Sequence, residues 1–382
     1  MKVLFLSSYP PRRCGIATFT FNLIQHLKNY YPRFSPAIIA IDDSKNKEIH
    51  QYGKEVVFVM DQSLPSSYER AAVFVNDSSY PLLHVQHEYG IYGGAKCFLI
   101  LKLVQNLKKP FIVTFHSVSP EPEEWEKEIL LNLHSQSLFT IVQSKTAKEI
   151  FLNIYGGKME KLIYIPHGVP KPPSIDREKI REKLGWKNRF VILTFGLLNP
   201  RKGLEDLIQA TSLISKEFPQ VYTVILGRPH PRWEYKNGEL YLNFLRKLAK
   251  DKGVEKNIFI PGEYLPEEEL LSALLASDLV VTPYNSHAEK QVVSGVLTYA
   301  LGCGKAVVST PYLHAKELLS SGAGLLAEFE NPISLAEKIK LVIKDRELHK
   351  KMESKALNIG QQFYWEEVAK KYWELYQWVY QQ

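Results

Sequence analysis

The sequence predicts an α/β protein with two doubly wound, Rossmann-like domains, and three observations support that prediction. At 382 residues the chain is too long for one ordinary hydrophobic core. Short β-rich runs alternate with helix-period runs in both halves, a rhythm typical of βαβ units and parallel sheets covered on both faces. The alternation breaks once, where four prolines fall between Pro166 and Pro173, a stretch unsuited to helix or interior strand.

The individual elements follow from the apolar periodicity. The strands predicted for the first half lie at residues 2–6, 36–41, 56–59, 82–85, 111–114, 139–142 and 162–165. Those predicted for the second half lie at residues 191–195, 222–226, 258–260, 279–281, 306–309 and 324–327. The predicted helices lie at residues 16–27, 96–107, 124–133, 204–216, 240–252, 267–276 and 333–343.

The proline-rich break sets the domain boundaries. We predict an N-terminal domain at residues 1–170, a linker at 171–186 that includes a short helix, and a C-terminal domain at 187–362. The tail at 363–382 carries eight Phe, Tyr and Trp residues, too many apolar rings for a free helix. We therefore expect this tail to pass back over the domain boundary and to complete the N-terminal domain.

Composition limits the compartment and the partners. The formal charge of +7 and pI near 8.9 suit an anionic ligand or an acidic membrane surface. Basic residues occur as pairs such as Lys108-Lys109 and not as a stripe, so nucleic acid is not expected as a partner. The three cysteines have neither disulfide nor metal-ligand spacing. Apolar runs stay far below the roughly 20 residues that cross a bilayer, and we expect a cytoplasmic protein.

Three predicted strand-to-helix junctions carry residue types that bind phosphate. Ligands of open α/β sheets bind beyond the carboxyl ends of the strands, where helix N-termini favour anions. Gly15 stands at the first junction, and Lys202, beside Arg201, stands at the second. Ser294 and Gly295 stand at the third. An ordinary strand-to-helix turn is the favoured interpretation of Gly15, and two solvated surface cations are an equally open interpretation of Arg201 and Lys202. No GxGxxG motif is present.

Titratable side chains lie near these junctions. His116 follows the predicted strand at 111–114, where a cleft is expected, and structural and functional roles are equally open for it. Glu289, upstream of the third junction, could bind hydroxyl groups or steady positive charge, or it could be a solvated loop carboxylate. His84 and His87 do not have the spacing of zinc hydrolases, so we expect a hydrogen-bonded structural role for His84 and no metal site.

Taken together, these segments resemble the large retaining glycosyltransferase family four over nearly the whole chain. The segments that carry the resemblance are residues 15–19, 114–116, 166–169, 195–203, 299–308 and 363–366. The resemblance implies the GT-B fold, in which two domains face each other across a cleft, with the donor bound mainly by the C-terminal domain and the acceptor by the N-terminal one. It also implies retention of configuration, no metal cofactor and a place in polysaccharide biosynthesis.

Particular residues acquire roles only through that resemblance. The donor would be a nucleoside-diphosphate sugar, and the acceptor a glycan, a lipid or a small molecule. His116 would contact the donor sugar near the reacting centre, and Gly15 and Lys202 would face the diphosphate. The helix that starts at the third junction would offer the backbone N–H groups of Ser294, Gly295 and Val296. The donor-binding positions implied are Gly15, Arg201, Lys202, Gln291, Ser294, Gly295, Val296 and Tyr299.

The chain departs from the family pattern at three places. The family usually has Arg where this chain has Leu197, and glutamates where it has Gln291 and Tyr299; tyrosine at the latter place also occurs in bacterial glycogen synthases. Because an amide supplies no negative charge, we hypothesise that Glu289 substitutes for the missing carboxylate. Full turnover by Glu289→Ala would refute this hypothesis.

Two alternatives follow from the sequence. The departures at Leu197 and Gln291 leave open a catalytically weakened nucleotide-sugar-binding or regulatory protein. Lysines in or beside the predicted helix at 96–107 could rest on anionic lipid and give peripheral membrane contact. Packing of its apolar residues into the core is the favoured interpretation of that helix.

Overall fold

A computed structural model of the protein describes residues 1–12, 14–43, 50–229, 238–288, 290 and 293–381. The chain divides into two compact units, the first made of Met1–Gly168 with Trp365–Gln382 and the second of Val169–Tyr364. Each unit contains one sheet whose paired strands are all parallel. The predicted α/β class with two doubly wound domains is confirmed.

The first unit contains a seven-stranded parallel sheet. Its strands are β1 (Lys2–Ser7), β2 (Ser35–Asp42), β3 (Val56–Asp61), β4 (Leu82–His87), β5 (Phe111–Phe115), β6 (Thr140–Val142) and β7 (Leu162–Tyr164). Its helices are α1 (Gly15–Tyr30), α2 (Pro65–Asp77), α3 (Leu99–Gln105), α4 (Glu124–Gln136), α5 (Lys145–Ile150) and α14 (Trp365–Gln381). The strand order is β3-β2-β1-β4-β5-β6-β7, so the order reverses between β1 and β4, where such sheets bind ligands.

The second unit repeats this plan with a six-stranded sheet. Its strands are β8 (Phe190–Phe195), β9 (Val221–Leu226), β10 (Ile258–Phe259), β11 (Leu279–Thr282), β12 (Val307–Ser309) and β13 (Gly324–Leu326). Its helices are α6 (Arg177–Lys183), α7 (Leu204–Ser215), α8 (Gly238–Asp251), α9 (Glu267–Ala276), α10 (Gly295–Gly302), α11 (Leu313–Leu319), α12 (Pro332–Lys344) and α13 (Arg346–Gly360). In the order β10-β9-β8-β11-β12-β13 the reversal lies between β8 and β11.

The aromatic tail packs inside the first unit. Trp365, Tyr372 and Tyr376 of α14 are buried in the same core cluster as Phe5 of β1 and Phe19 of α1. Burying rings of this size removes a large apolar area from water, roughly 1.5–3 kcal/mol for each fully buried side chain. The last helix in the sequence is therefore a structural part of the first unit.

The predicted helix at 96–107 is shorter in the structure. It begins only after Lys96 and Cys97, whose φ angles of 51° and 64° are left-handed values that a right-handed helix does not contain. Leu101 and Leu103 are buried, so the apolar side of α3 packs into the core and does not offer an apolar surface to lipid. None of the helices in the described part of the chain combines the length and apolar composition needed to cross a membrane.

Several helices lack a sequence signal strong enough for prediction. In α13 the buried positions are Met352, Ala356 and Gly360, small or unbranched residues that leave little apolar periodicity. In α2 the large apolar residue Val73 is exposed, which obscures the pattern of the buried face. Tertiary packing, and not the local pattern, stabilises these helices.

The segment predicted as a linker is anchored to the second unit through α6. Arg181 of α6 is buried and donates hydrogen bonds to backbone carbonyl oxygens of Ala276 and Trp186. Its guanidinium also pairs with Asp278 at 3.1 Å, and the other oxygen of that carboxylate accepts a bond of 2.5 Å from Arg177. The helix is therefore held to the segment just before β11 by charge-assisted hydrogen bonds, of which those of Arg181 come from a buried side chain.

Candidate active site

The loop that follows β8 turns the chain sharply into α7. Gly196 has a φ of 114° and Gly203 a φ of 59°, conformations that glycine adopts without steric cost. A Cβ on Gly203 would lie 1.9 Å from the carbonyl oxygen of Pro283, which follows β11. The loop therefore packs directly against the chain beyond β11, at the reversal of strand order.

Lys202 is a partly buried cation in this loop. Its Nζ donates a hydrogen bond of 2.7 Å to Oη of Tyr284 and lies 4.2 Å from the centre of that ring. No ion pair between Lys202 and a carboxylate is formed within the described residues. Burial lowers the pKa of Lys202 from 10.5 to about 8, so the side chain still carries its charge at neutral pH. An anionic ligand would neutralise this charge.

Gly196 leaves space between Lys202 and the first turn of α10. A Cβ on Gly196 would lie 3.7 Å from Nζ of Lys202 and 3.6 Å from a Cγ methyl of Val296. The N–H groups of Gly295 and Val296 form no hydrogen bond within the described part of the chain, as is usual in the first turn of a helix. Lys202 and the Val296 side chain of the first turn of α10 thus lie next to Gly196, and a cation close to a helix N-terminus suits a phosphate.

Ser294 holds the start of α10. Its Oγ accepts a hydrogen bond from the backbone N–H of Leu297, and its own N–H donates to Nδ1 of His314 at 2.8 Å. The side chain is buried, with 1% of its surface exposed. Because His314 already accepts the Ser294 N–H, the N–H groups open to a ligand belong to Gly295 and Val296.

Tyr299 is engaged by a neighbouring carboxylate. Its hydroxyl donates a hydrogen bond of 2.5 Å to Oε1 of Glu267, the first residue of α9. Burial, together with this carboxylate, raises the pKa of Tyr299 well above 10. The tyrosine therefore stays protonated as a donor to the Glu267 carboxylate.

In the first unit, Gly15 begins α1 at the carboxyl end of β1. Cys14 caps this helix, since its Sγ accepts from the N–H of Ala17 at 3.4 Å. Gly15 is exposed, and a Cβ at this position would meet nothing within 4 Å. The helix N-terminus is therefore open to an approaching ligand.

His116 stands directly beyond β5, and its ring is held on two sides. Its Nε2 lies 2.8 Å from Oε1 of Gln86, and Phe19 of α1 contacts the ring edge-to-face at 4.9 Å between centroids. Burial lowers the pKa of His116 to about 3. Neighbouring histidines lower it further by a smaller amount, and the largest of their contributions comes from His167. The ring is neutral at physiological pH.

The remaining predicted residues divide into two groups. Arg201 is exposed, and its backbone oxygen accepts a hydrogen bond from Asn285. Glu289 and Gln291 lie outside the described residues.

Three side chains of the site were missed by sequence reasoning. Tyr284, the partner of Lys202, had no motif that marked it. Glu267 was visible only as one of the acidic residues at the start of a predicted helix. Gln86 stood beside the histidines that were considered for metal binding, but its contact with His116 depends on the pairing of β4 with β5.

Comparison with known proteins follows the division into units. The two units are parallel-sheet, Rossmann-like domains, and residues 176–358, inside the second, match the family model described as glycosyl transferases group 1. The chain is 26% identical over 258 residues to the uncharacterized glycosyltransferase MJ1069 of Methanocaldococcus jannaschii, an alignment covering 66% of this chain and 62% of that protein.

A second relative is the GDP-mannose-dependent alpha-(1-6)-phosphatidylinositol monomannoside mannosyltransferase of Mycolicibacterium smegmatis. It is 29% identical over 163 residues, covering 40% of this chain and 39% of that protein. The chain thus spans less than two thirds of the length of both curated relatives.

Among solved structures, Anabaena Alr3699/HepE in complex with UDP superimposes with a TM-score of 0.77 at 22% identity, covering 99% of this chain and 100% of that one. At this identity the likeness shows the fold. The matched family model and the curated relative support the glycosyltransferase superfamily.

Proposed function

We propose that the chain transfers a hexose from a nucleoside-diphosphate sugar to an acceptor hydroxyl, with retention of configuration. The observation that carries the proposal is the Lys202 ammonium, partly buried without an ion-pair partner in the described residues, beside the open N–H groups of α10. HepE is described with UDP and with UDP-glucose, and the mycobacterial relative is named as GDP-mannose-dependent. Both names support a nucleoside-diphosphate sugar as the donor.

The chemistry of such a transfer matches what the second unit offers. Negative charge grows on the diphosphate as its bond to the sugar breaks, and fixed cations and N–H groups stabilise that charge. Lys202, Gly295 and Val296 would bind the diphosphate oxygens. Because these groups supply positive charge themselves, the proposed reaction does not require a metal cofactor.

The first unit would contribute to sugar and acceptor binding. His116 is neutral, so it would serve as a hydrogen-bond partner of a sugar hydroxyl and not as a cationic acid. Gly15 would leave room for the donor at the N-terminus of α1. Glu289 would supply the carboxylate that Gln291 lacks. The acceptor would be a glycan, a lipid or a small molecule that offers a hydroxyl group.

A second candidate is a nucleotide-sugar-binding or regulatory protein with weakened turnover. Two observations favour it: Leu197 stands in the phosphate loop where the family has an arginine, and the Tyr299 hydroxyl is already bonded to Glu267. This protein would bind a donor without releasing its nucleoside diphosphate.

A thermal-shift panel of nucleotide sugars and free nucleotides separates the two candidates. We expect one nucleotide sugar to stabilise the chain and its nucleoside diphosphate to be released slowly, with release unchanged by EDTA. Stabilisation without release, even with candidate acceptors, would favour the binding protein. An absence of stabilisation by every member of the panel would refute both.

Donor affinity is expected to fall as the pH rises through about 8. Lys202 is protonated below its pKa of about 8 and loses its charge above it, so the attraction for the diphosphate weakens on the alkaline side. The dissociation constant for the nucleoside diphosphate that the panel identifies should rise by up to about tenfold per pH unit above that point. Titration calorimetry between pH 6.5 and 9.5 measures it, and the alkaline rise should disappear in Lys202→Met. A flat profile in the wild type would contradict the expectation.

A further inference from the structure

Four side chains of the first unit form a hydrogen-bonded chain from α14 to His116. Oη of Tyr376 lies 2.7 Å from Nδ1 of His84. Nε2 of His84 lies 3.1 Å from the amide nitrogen of Gln86, and the amide oxygen of Gln86 lies 2.8 Å from Nε2 of His116. Tyr376, His84 and Gln86 are fully buried, whereas His116 is partly exposed. The chain thus runs from the core to a partly exposed residue directly beyond β5.

The amide of Gln86 has a direction, and this direction determines where the histidine protons are. Its oxygen can only accept, so Nε2 of His116 must carry a hydrogen. Its nitrogen can only donate, so Nε2 of His84 must be an acceptor. Thr114 Oγ1 lies 2.8 Å from that same nitrogen and is a second donor to it. Nδ1 of His84 then carries the hydrogen and donates to Tyr376.

Both histidines are neutral at physiological pH, so each has one protonated and one free nitrogen. Burial lowers the pKa of His84 and of His116 to about 3. The His116 ring is also fixed in orientation, because its backbone N–H donates to the His87 carbonyl oxygen at 3.0 Å and Phe19 packs against it. With the ring held and Nε2–H bonded to Gln86, the nitrogen that carries no hydrogen is Nδ1. The buried side chain of Gln143 also faces this ring.

We propose that Gln86 is a positioning residue, which holds His116 as the Nε2–H tautomer so that Nδ1 is left to accept a hydrogen bond from a substrate hydroxyl. The identity of that substrate rests on the proposed function, whereas the tautomer does not. The opposite tautomer would present an N–H to the substrate, and a sugar hydroxyl could then only accept from it. Gln86 would therefore determine whether the substrate hydroxyl donates the hydrogen bond to His116 or accepts it.

The direct test is long-range proton–nitrogen NMR of the full chain labelled with ¹⁵N-histidine. The His116 signals are assigned by their loss in His116→Asn. In the free protein at pH 7 we expect Nε2 to be protonated and Nδ1 to be unprotonated. A protonated Nδ1, alone or together with Nε2, would overturn the proposal. The measurement needs no activity, so it stands even if no nucleotide sugar binds.

Two substitutions at Gln86 test its part in this arrangement. Gln86→Met removes both polar atoms at similar volume, and we expect His116 to lose its single tautomer and kcat to fall about tenfold with KM little changed. Gln86→Glu keeps an acceptor oxygen but adds a negative charge, so Nε2–H should persist while the pKa of His116 rises. The other titratable groups that face this ring are His84, His87 and His167. An unchanged tautomer in Gln86→Met would refute the role of Gln86.

The helix α14 offers a matched control. Tyr376→Phe and Tyr372→Phe each remove one hydroxyl from a fully buried tyrosine of the same helix. Tyr376 hydrogen-bonds to His84, whereas Tyr372 contacts the His84 ring at 5.7 Å between centroids without hydrogen-bonding to its nitrogens. We expect Tyr376→Phe to alter the Nδ1 signal of His84. Tyr372→Phe removes a hydroxyl that faces Thr114, so it should leave the Nδ1 signal in place. Equal changes in both variants would contradict the proposed chain of hydrogen bonds.

Discussion

Lys202→Met is expected to lower kcat/KM for the nucleotide-sugar donor by about 10²–10³-fold, the usual effect of removing one group that stabilises developing charge. Methionine keeps the length and apolar stem of lysine, so the Tyr284 ring retains a packing partner while the ammonium is lost. The positive charge of Lys202 has no ion-pair partner among the described residues, so its removal frees no carboxylate. Steady-state kinetics of donor hydrolysis or transfer measures the effect.

The matched control for this experiment is Lys216→Met. Lys216 is exposed at the C-terminal end of α7, the helix that follows the Lys202 loop. Lys216→Met therefore removes the same single positive charge as Lys202→Met, but away from the site. We expect kcat/KM within about twofold of the wild type. Arg201→Met should have an intermediate effect, because Arg201 is an exposed cation next to Lys202. If Lys202→Met kept the wild-type kcat/KM, the proposed role of Lys202 in stabilising the diphosphate would be refuted, and with it the main support for the proposed function.

Asp278→Ala is expected to lower the free energy of unfolding of the second unit by about 3–5 kcal/mol, the cost of leaving a buried charge without its partner. The Asp278 carboxylate accepts hydrogen bonds from Arg181, Arg177 and the backbone N–H of Val191. Arg181 has 6% of its surface exposed, so water cannot replace the lost carboxylate. Urea or thermal unfolding, followed by circular dichroism, measures the change.

Two variants make this stability measurement specific. Asp278→Asn keeps an acceptor oxygen and should cost less than Asp278→Ala. Glu182→Ala breaks the exposed pair between Glu182 and Lys187 at 3.6 Å, and it should cost no more than about 1 kcal/mol. If Asp278→Ala were as mild as Glu182→Ala, α6 would not be anchored by this carboxylate.

The strands were the most predictable part of the fold. In parallel sheets covered on both faces, interior strands are continuous apolar runs, and the fully buried Val3, Phe5 and Leu6 of β1 are an example. Helices such as α7 and α9 show apolar residues on one face, and their predicted bounds lie close to those observed. The predicted start of α3 was wrong, because Lys96 and Cys97 have a left-handed backbone. Neither lysine nor cysteine favours that conformation, so the sequence does not indicate it.

The candidate site could be predicted in part, through the rule that ligands bind beyond the carboxyl ends of parallel strands. That rule selected Gly15, Lys202 and the start of α10. It could not select their partners, because these come from distant parts of the chain. Tyr284 reaches Lys202 from beyond β11, and Glu267 reaches Tyr299 from the start of α9.

The sequence by itself determined the α/β class, the order of the strands and of the helices with a clear apolar face, and the junctions where a phosphate would bind. These depend on local periodicity and on the residue types in single loops. Only the tertiary structure decided what charge and proton state each site residue has. The pKa of Lys202 is lowered by burial, and the tautomer of His116 is set by Gln86 across paired strands. Burial and hydrogen-bond partners are properties of residues far apart in sequence, so no local pattern encodes them.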